Sequence, residues 1–264
     1  MPEQLNGETR LFPIIGDPIR YAESPVRFTH TLHRRALNAL CVPMQVATEG
    51  LDTVMAGLRA TANVDGLLIT TPHKATAFDH CATTSDRSTL LGVVSVLRRN
   101  GDGSWHGDML DGIAFVNAQI GNGARIDESR ALLIGTGGAG RAIALALVEA
   151  GLAELILHDV DRSSSTALAE LLKGRGETRV SVGESDPTGC DLVFNATPMG
   201  MDPNDPVALD VSLLSSSMFV GDVVAGHGTT PLIAAAQSLG CGTAGGADMV
   251  EAVQELMADF LLGA

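Results

Sequence analysis

Aromatic side chains are scarce in this chain: one Trp, one Tyr and seven Phe among 264 residues. A core must therefore be built from Ala, Val, Leu and Ile, which suit buried parallel strands and the helices covering them. Basic residues are also few. Lys and Arg number 17 against 31 Asp and Glu, leaving a formal charge of −14. That argues against nucleic acid or an anionic membrane as partner, because phosphate surfaces attract basic patches. The four cysteines, at 41, 81, 190 and 241, form no C-x-x-C pair and no metal-binding pattern. They read as buried free thiols of a reducing compartment. His73, His106, His158 and His227 lack metal-ligand spacing and read as loop or surface residues, so no metal site is expected. No apolar run is long enough to span a bilayer, and the polar N-terminus has no apolar leader segment. The expectation is a soluble, cytoplasmic protein.

What the chain does have is a β-α rhythm. Apolar runs at 11–15, 42–46 and 64–69 read as strands, separated by helical patterns at about 24–40 and 51–60. Two short helices follow, near 73–81 and 86–91. Residues 94–98 and 105–109 flank N-G-D-G, a hairpin signal. After Asp111 and a helix near 113–120 the rhythm resumes, with strands near 131–134, 154–158, 178–182, 190–194 and 218–223. Helices fall near 140–150, 163–173, 230–239 and 247–262. The fold class expected is α/β in two domains. Residues 1–111 form a substrate domain with a mostly parallel sheet, and 112–246 a Rossmann-type dinucleotide-binding domain. The last helix, 247–262, packs back on the first domain.

The most informative stretch is GTGGAGR at 135–141, which follows the apolar run ALLI and opens an apolar helix. Gly135 serves a tight turn, Gly137 lets a pyrophosphate approach the backbone, and Gly140 lets helix pack on strand. The N–H groups around Gly138 and Ala139 then face the phosphates. Asp159 closes the next strand, about 20 residues on, where an acid accepts from the ribose hydroxyls. Lys74, just past a strand end, and Asp111, between hairpin and glycine domain, suggest a proton-exchanging pair.

Six motifs in order make the chain resemble the shikimate/quinate dehydrogenase family over nearly its whole length. They are GDPIRYAESP at 16–25, TTPHK at 70–74, MLDG at 109–112, the glycine loop, NATPMGM at 195–201 and DVVAGHGTTP at 222–231. The resemblance implies Lys74 and Asp111 as the catalytic pair, and substrate contacts from Ser24, Thr70, Ser95 and Gln254. It implies cofactor contacts from Gly135, Gly137, Gly138, Ala139, Gly140, Asp159, Arg162, Asn195, Thr197, Met199 and Val223. Relatives that prefer NADP carry N-R-T after the second strand of this domain; here the stretch is HDVDR at 158–162. Asp159 would repel a 2′-phosphate, while Arg162 could soften that repulsion, so NAD is favoured over NADP.

Several polar positions of the family have been lost. Its first loop serine is Ala22, a substrate-binding Asn is Ser95, and the Asn and Thr before the catalytic Asp are Met109 and Leu110. A Tyr is Ala225, and the Gln of the last helix aligns with Val253, beside Gln254. Losing several hydrogen bonds to a charged substrate, each about 1.5–3 kcal/mol, should weaken or redirect recognition. The function expected is an NAD(P)-dependent dehydrogenase of a small carboxylated ring, with homodimerisation left open. The alternatives are a non-catalytic metabolite sensor on this fold and a methylene-tetrahydrofolate dehydrogenase-like enzyme.

Overall fold

The computed structural model describes residues 5–20, 22–202, 205–226 and 228–263. Its contacts divide the chain into two compact units, Met1–Leu110 with Val253–Ala264, and Asp111–Ala252. Each unit is built on its own six-stranded sheet, and both are α/β.

The first unit runs β1 (Arg10–Gly16), α1 (Ser24–Arg34), β2 (Ala39–Gln45), α2 (Leu51–Ala60), β3 (Gly66–Ile69), α3 (Lys74–Phe78), β4 (Thr83–Thr84), α4 (Asp86–Leu91), β5 (Val96–Arg99) and β6 (Trp105–Asp108). The sheet order is β2-β1-β3-β5-β6-β4. Strand β1 pairs in parallel with β2 and β3, whereas β5 pairs antiparallel with β3 and β6. Alternation along β1 feeds two cores: Phe12 and Ile14 join Phe28 and Leu32 on one face, and Ile15 joins Leu51, Met55 and Leu67 on the other. Arg99 takes the place of an aromatic or aliphatic brace. Its guanidinium donates to the Leu58, Arg59 and Thr61 carbonyls at the end of α2, with its carbon 4.5 Å from the centre of the Trp105 ring.

Helix α1 stops at Arg34, six residues before the end expected from the apolar pattern. Ala36 turns to φ +59°, Leu37 N–H bonds back to Leu32 O, and β2 begins at Ala39 in register with Arg10. The parallel ladder to β1 claims residues that could have continued the helix. Ser24 is the first helical residue, and Glu23 occupies the cap position. The bridge strand β4 had no signature at two residues long.

The second unit runs α5 (Asp111–Gly121), β7 (Arg130–Ile134), α6 (Gly138–Glu149), β8 (Glu154–His158), α7 (Arg162–Leu172), β9 (Arg179–Val182), β10 (Leu192–Asn195), β11 (Phe219–Asp222), α8 (Pro231–Ser238), β12 (Gly242–Ala244) and α9 (Gly246–Leu262). Every pairing is parallel, in the order β12-β11-β10-β7-β8-β9. Counted from β7 as strand 1, this is 6-5-4-1-2-3, the doubly wound Rossmann order. The order reverses between β7 and β10, and there the carboxyl ends of two adjacent strands diverge into separate loops. Helix α9 begins in this unit and ends in the first, where Met257, Ala258 and Leu261 join the Phe12 core and Glu255 and Asp259 pair with Arg34 and Arg35. Among the described residues no helix is long and apolar enough to cross a membrane.

The thiols of Cys41 and Cys81 are pushed up to about 12 by burial, and all four cysteines are free. They are packing groups rather than nucleophiles.

Candidate functional site

In the second unit the glycine loop sits at the strand-order reversal. Gly135 has φ +97°, and its N–H donates to His158 O. A Cβ there would stand 2.8 Å from Thr197 Cγ2 and 2.9 Å from the Ala196 carbonyl carbon, so this loop lies directly on the loop after β10. A Cβ on Gly140 would overlap the Gly135 carbonyl oxygen. Gly137 and Gly138 differ: a Cβ on either would meet nothing within 4 Å. Gly137 also caps α6 without a side-chain hydrogen bond. The first-turn N–H groups, those of Ala139 included, are thus left to an outside acceptor beside an open, glycine-lined surface. Such N–H groups at a helix start are suited to an anion.

Asp159 follows β8 and is tied to the same loop. Its Oδ2 accepts from Thr136 N–H at 2.7 Å and Thr136 Oγ1 at 2.9 Å, and its Oδ1 from Asp161 N–H at 3.0 Å. Desolvation pushes the carboxyl up, but these donors outweigh it and hold Asp159 below the usual aspartate value. Arg162, the first residue of α7, pairs with Glu184 at 3.5 Å, both largely exposed. Past β10, Asn195 Oδ1 accepts from Thr197 N–H at 3.0 Å and Thr197 Oγ1 at 2.6 Å. Met199 N–H donates to Thr197 Oγ1, and Val223 N–H to Asn195 O. The structure therefore gathers the glycines, Asp159, Asn195, Thr197, Met199 and Val223 at the carboxyl ends of four adjacent strands, β11, β10, β7 and β8.

In the first unit, Thr70 and Lys74 occupy the turn from β3 into α3. Thr70 N–H donates to Ile15 O, and Lys74 is the first residue of α3, with its carbonyl accepting from Val94 N–H. His73 lies in the turn, as its sequence context suggests, and is buried there. Its Nε2 lies 2.6 Å from Val46 O, which fastens the turn carrying Lys74 to the end of β2. Ser95 Oγ accepts from Leu110 N–H at 2.9 Å, so this hydroxyl has a structural acceptor role. Asp108 fastens the same segment: its buried carboxylate accepts from Ser85, Arg87 and Met109 N–H. Leu110 belongs to the Phe12 core, with Ala22 and Val253 packed against it. These three positions are part of an apolar cluster. Ser24 is half-buried at the start of α1, and Gln254 is buried on α9. Asp111, buried, opens α5 and belongs to the second unit. His227 lies outside the described residues.

His73, Thr136 and Asp222 carry weight that no sequence reading assigned them, although His73 lies in the TTPHK motif and Asp222 opens DVVAGHGTTP. Thr136 stands at a variable place of the glycine motif, and the other two make bonds to residues far along the chain.

Residues 14–97 match a family profile described as the shikimate dehydrogenase substrate binding domain. The chain is 32% identical to the shikimate dehydrogenase (NADP(+)) of Rhodospirillum rubrum, over 93% of this chain and 89% of that one. Its structure is similar to the quinate dehydrogenase of Corynebacterium glutamicum in complex with NAD, at 27% identity and TM-score 0.87, covering 97% of this chain and 94% of that one. It is equally similar to the ligand-free 5-ketofructose reductase of Gluconobacter sp. strain CHM43, at 26% identity and TM-score 0.87, covering 98% and 95%. Near-complete coverage at that identity, with the glycine loop and the T-x-P-x-K turn in place, means that the chain belongs to the shikimate dehydrogenase family.

Proposed function

We propose that this protein is an NAD(P)-dependent dehydrogenase interconverting an alcohol and a ketone on a shikimate- or quinate-like carboxylated ring. The observation that carries the reading is the whole-length relationship to shikimate dehydrogenases, with the TTPHK turn intact inside the matched segment 14–97. The unit of residues 1–110 and 253–264 serves as the substrate domain, and that of residues 111–252 as the dinucleotide domain.

The open surface at Gly137 and Gly138 receives the pyrophosphate on the first-turn N–H groups of α6. The nicotinamide, when bound, accepts or delivers the hydride. Lys74 takes the hydroxyl proton during oxidation and returns it to the forming alkoxide during reduction, and Asp111 is the second residue assigned to the chemistry. His73 fastens the turn that carries Lys74 by its bond to Val46 O. Ser24, Thr70 and Gln254 are the polar groups offered to the ring, and Ser95 retains its hydroxyl hydrogen for the same purpose.

Within NAD(P), NAD is the favoured partner. The Asp159 carboxylate meets the ribose hydroxyls, and Arg162 stands beside the exposed carboxylate of Glu184. The relatives named for NADP(+) set the opposite expectation, which makes cofactor choice a direct test. The assay follows nicotinamide absorbance with shikimate, quinate and amino-shikimate, each with NAD and with NADP. Turnover with one ring acid, lost by more than about a hundredfold in Lys74→Ala, is the expected result. Dinucleotide binding without turnover of any of them would sink the narrow substrate claim, and an active Lys74→Ala would sink the mechanism.

A second reading, a metabolite-binding protein without turnover, draws on the apolar packing of Ala22, Leu110 and Val253. Calorimetry separates the two, since tight ring-acid binding with no hydride transfer favours the sensor.

A further inference from the structure

We propose that Asp222 is a positioning residue that, through Asn195 and Thr230, sets the loop after β10 against the start of α8 and so shapes the nicotinamide side of the dinucleotide site. The proposal rests on the dinucleotide reading above.

Asp222 ends β11 with no exposed surface, directly opposite Asn195 in the parallel register. Every group that meets its carboxylate is a donor. Oδ1 accepts from Asn195 Nδ2 at 2.9 Å and from Val224 N–H at 3.1 Å, and Oδ2 accepts from Thr230 Oγ1 at 2.6 Å. Burial pushes this carboxyl up, opposed by the donors Thr230, Val224 and Asn195. A buried carboxylate unable to touch a ligand, yet supplied with three donors, is placed to organise its neighbours.

What it organises is the orientation of the Asn195 amide. With Nδ2 turned to Asp222 and to Met199 O at 3.3 Å, Oδ1 must face Thr197, where it accepts from both the N–H and the hydroxyl. A flipped amide would set oxygen against carboxylate and NH2 against the Thr197 N–H, so the charge of Asp222 selects one of two otherwise similar states. Thr197 in turn accepts from Met199 N–H, which carries the choice along the loop. On the other side, Thr230 donates to Asp222 while accepting from Ile233 N–H at 3.4 Å as the cap of α8. One carboxylate thus fixes two loops and a helix start. The Gly135 loop meets this assembly at Ala196 and Thr197, and Asp159 has its own partners in Thr136 and Asp161.

This division predicts a selective lesion. Asp222→Asn keeps the shape but presents a donor where a donor already stands. NADH needs both ends of the site, whereas ADP-ribose lacks the nicotinamide and relies on the glycine loop and Asp159. The full-length variant is titrated with both, alongside wild type, and the kcat and KM for the nicotinamide substrate are measured. The expected result is an NADH Kd raised about tenfold, an ADP-ribose Kd within about twofold of wild type, and a lowered kcat. Equal weakening of both ligands would reduce Asp222 to a general stabiliser and overturn the proposal, as would no change in either. Should Asp222→Asn not fold, Thr230→Val decides, with the same selectivity expected at about threefold and the same two outcomes against it. Failure of wild type to bind either ligand would remove the dinucleotide reading itself, and the proposal with it.

Discussion

Three glycines of one loop should respond differently to the same added methyl group. Gly137 has φ −71° and ψ −164°, an extended conformation open to any residue, and an added Cβ would meet no atom within 4 Å. Gly137→Ala should therefore fold with stability within about 0.5 kcal/mol of wild type. Its methyl would nonetheless stand on the surface where diphosphate oxygens approach the backbone, and the Kd for NADH should rise at least about tenfold, or about 1.4 kcal/mol. Gly140→Ala meets the protein instead. Its Cβ would overlap Gly135 O and lie 2.8 Å from Gly135 C, against an ordinary contact of 3.4–4 Å. The start of α6 would have to retreat from β7, at a cost of about 1–3 kcal/mol for overpacking. Gly135→Ala combines close contact with Thr197 and a φ of +97°, adding about 1–3 kcal/mol of backbone strain. Urea denaturation reads the stability and NADH fluorescence titration reads the binding. A Gly137→Ala protein that binds NADH like wild type would refute the pyrophosphate surface. A Gly140→Ala protein of full stability would refute the packing argument.

Asp159→Asn removes a charge expected beside the ribose, worth about 1–3 kcal/mol against a nearby phosphate, so the NAD-over-NADP ratio of kcat/KM should fall about tenfold. An unchanged ratio would move cofactor choice elsewhere. The same variant tests pH linkage. Asp159 is held below the usual aspartate value in the fold, so its stabilising contribution is present above that value and lost as pH falls through the folded one. The stability gap between wild type and Asp159→Asn should be widest near neutrality and close in acid, as read by denaturation at successive pH. Arg87→Ala strips a partner from the buried Asp108 carboxylate, leaving Ser85 and the Met109 N–H. Unfolding free energy should drop by about 1–3 kcal/mol, with kcat falling as well because the loosened segment leads to Asp111. A Tm equal to wild type would contradict this.

By itself the sequence determined the β-α rhythm, the glycine loop with its distinct roles at 135, 137 and 140, the acid at 159 and the T-x-P-x-K turn. These are local properties: a run of apolar side chains, or a missing Cβ, acts within a few residues of where it is written. Sequence rhythm does not specify strand order, and the reversal between β7 and β10 exists only once strands have paired. The end of α1 at Arg34 was decided by the ladder from Arg10 to Ala39, a competition between helix and sheet for the same backbone groups. That the Ser95 hydroxyl also accepts from Leu110 N–H, 15 residues away, is visible only in the fold. The Asp222–Asn195 bond spans 27 residues, and the carboxylate means little until burial makes its three donors count. The dinucleotide half was legible because its chemistry is contiguous. The groups that orient it come from separate strands and meet only in the folded sheet.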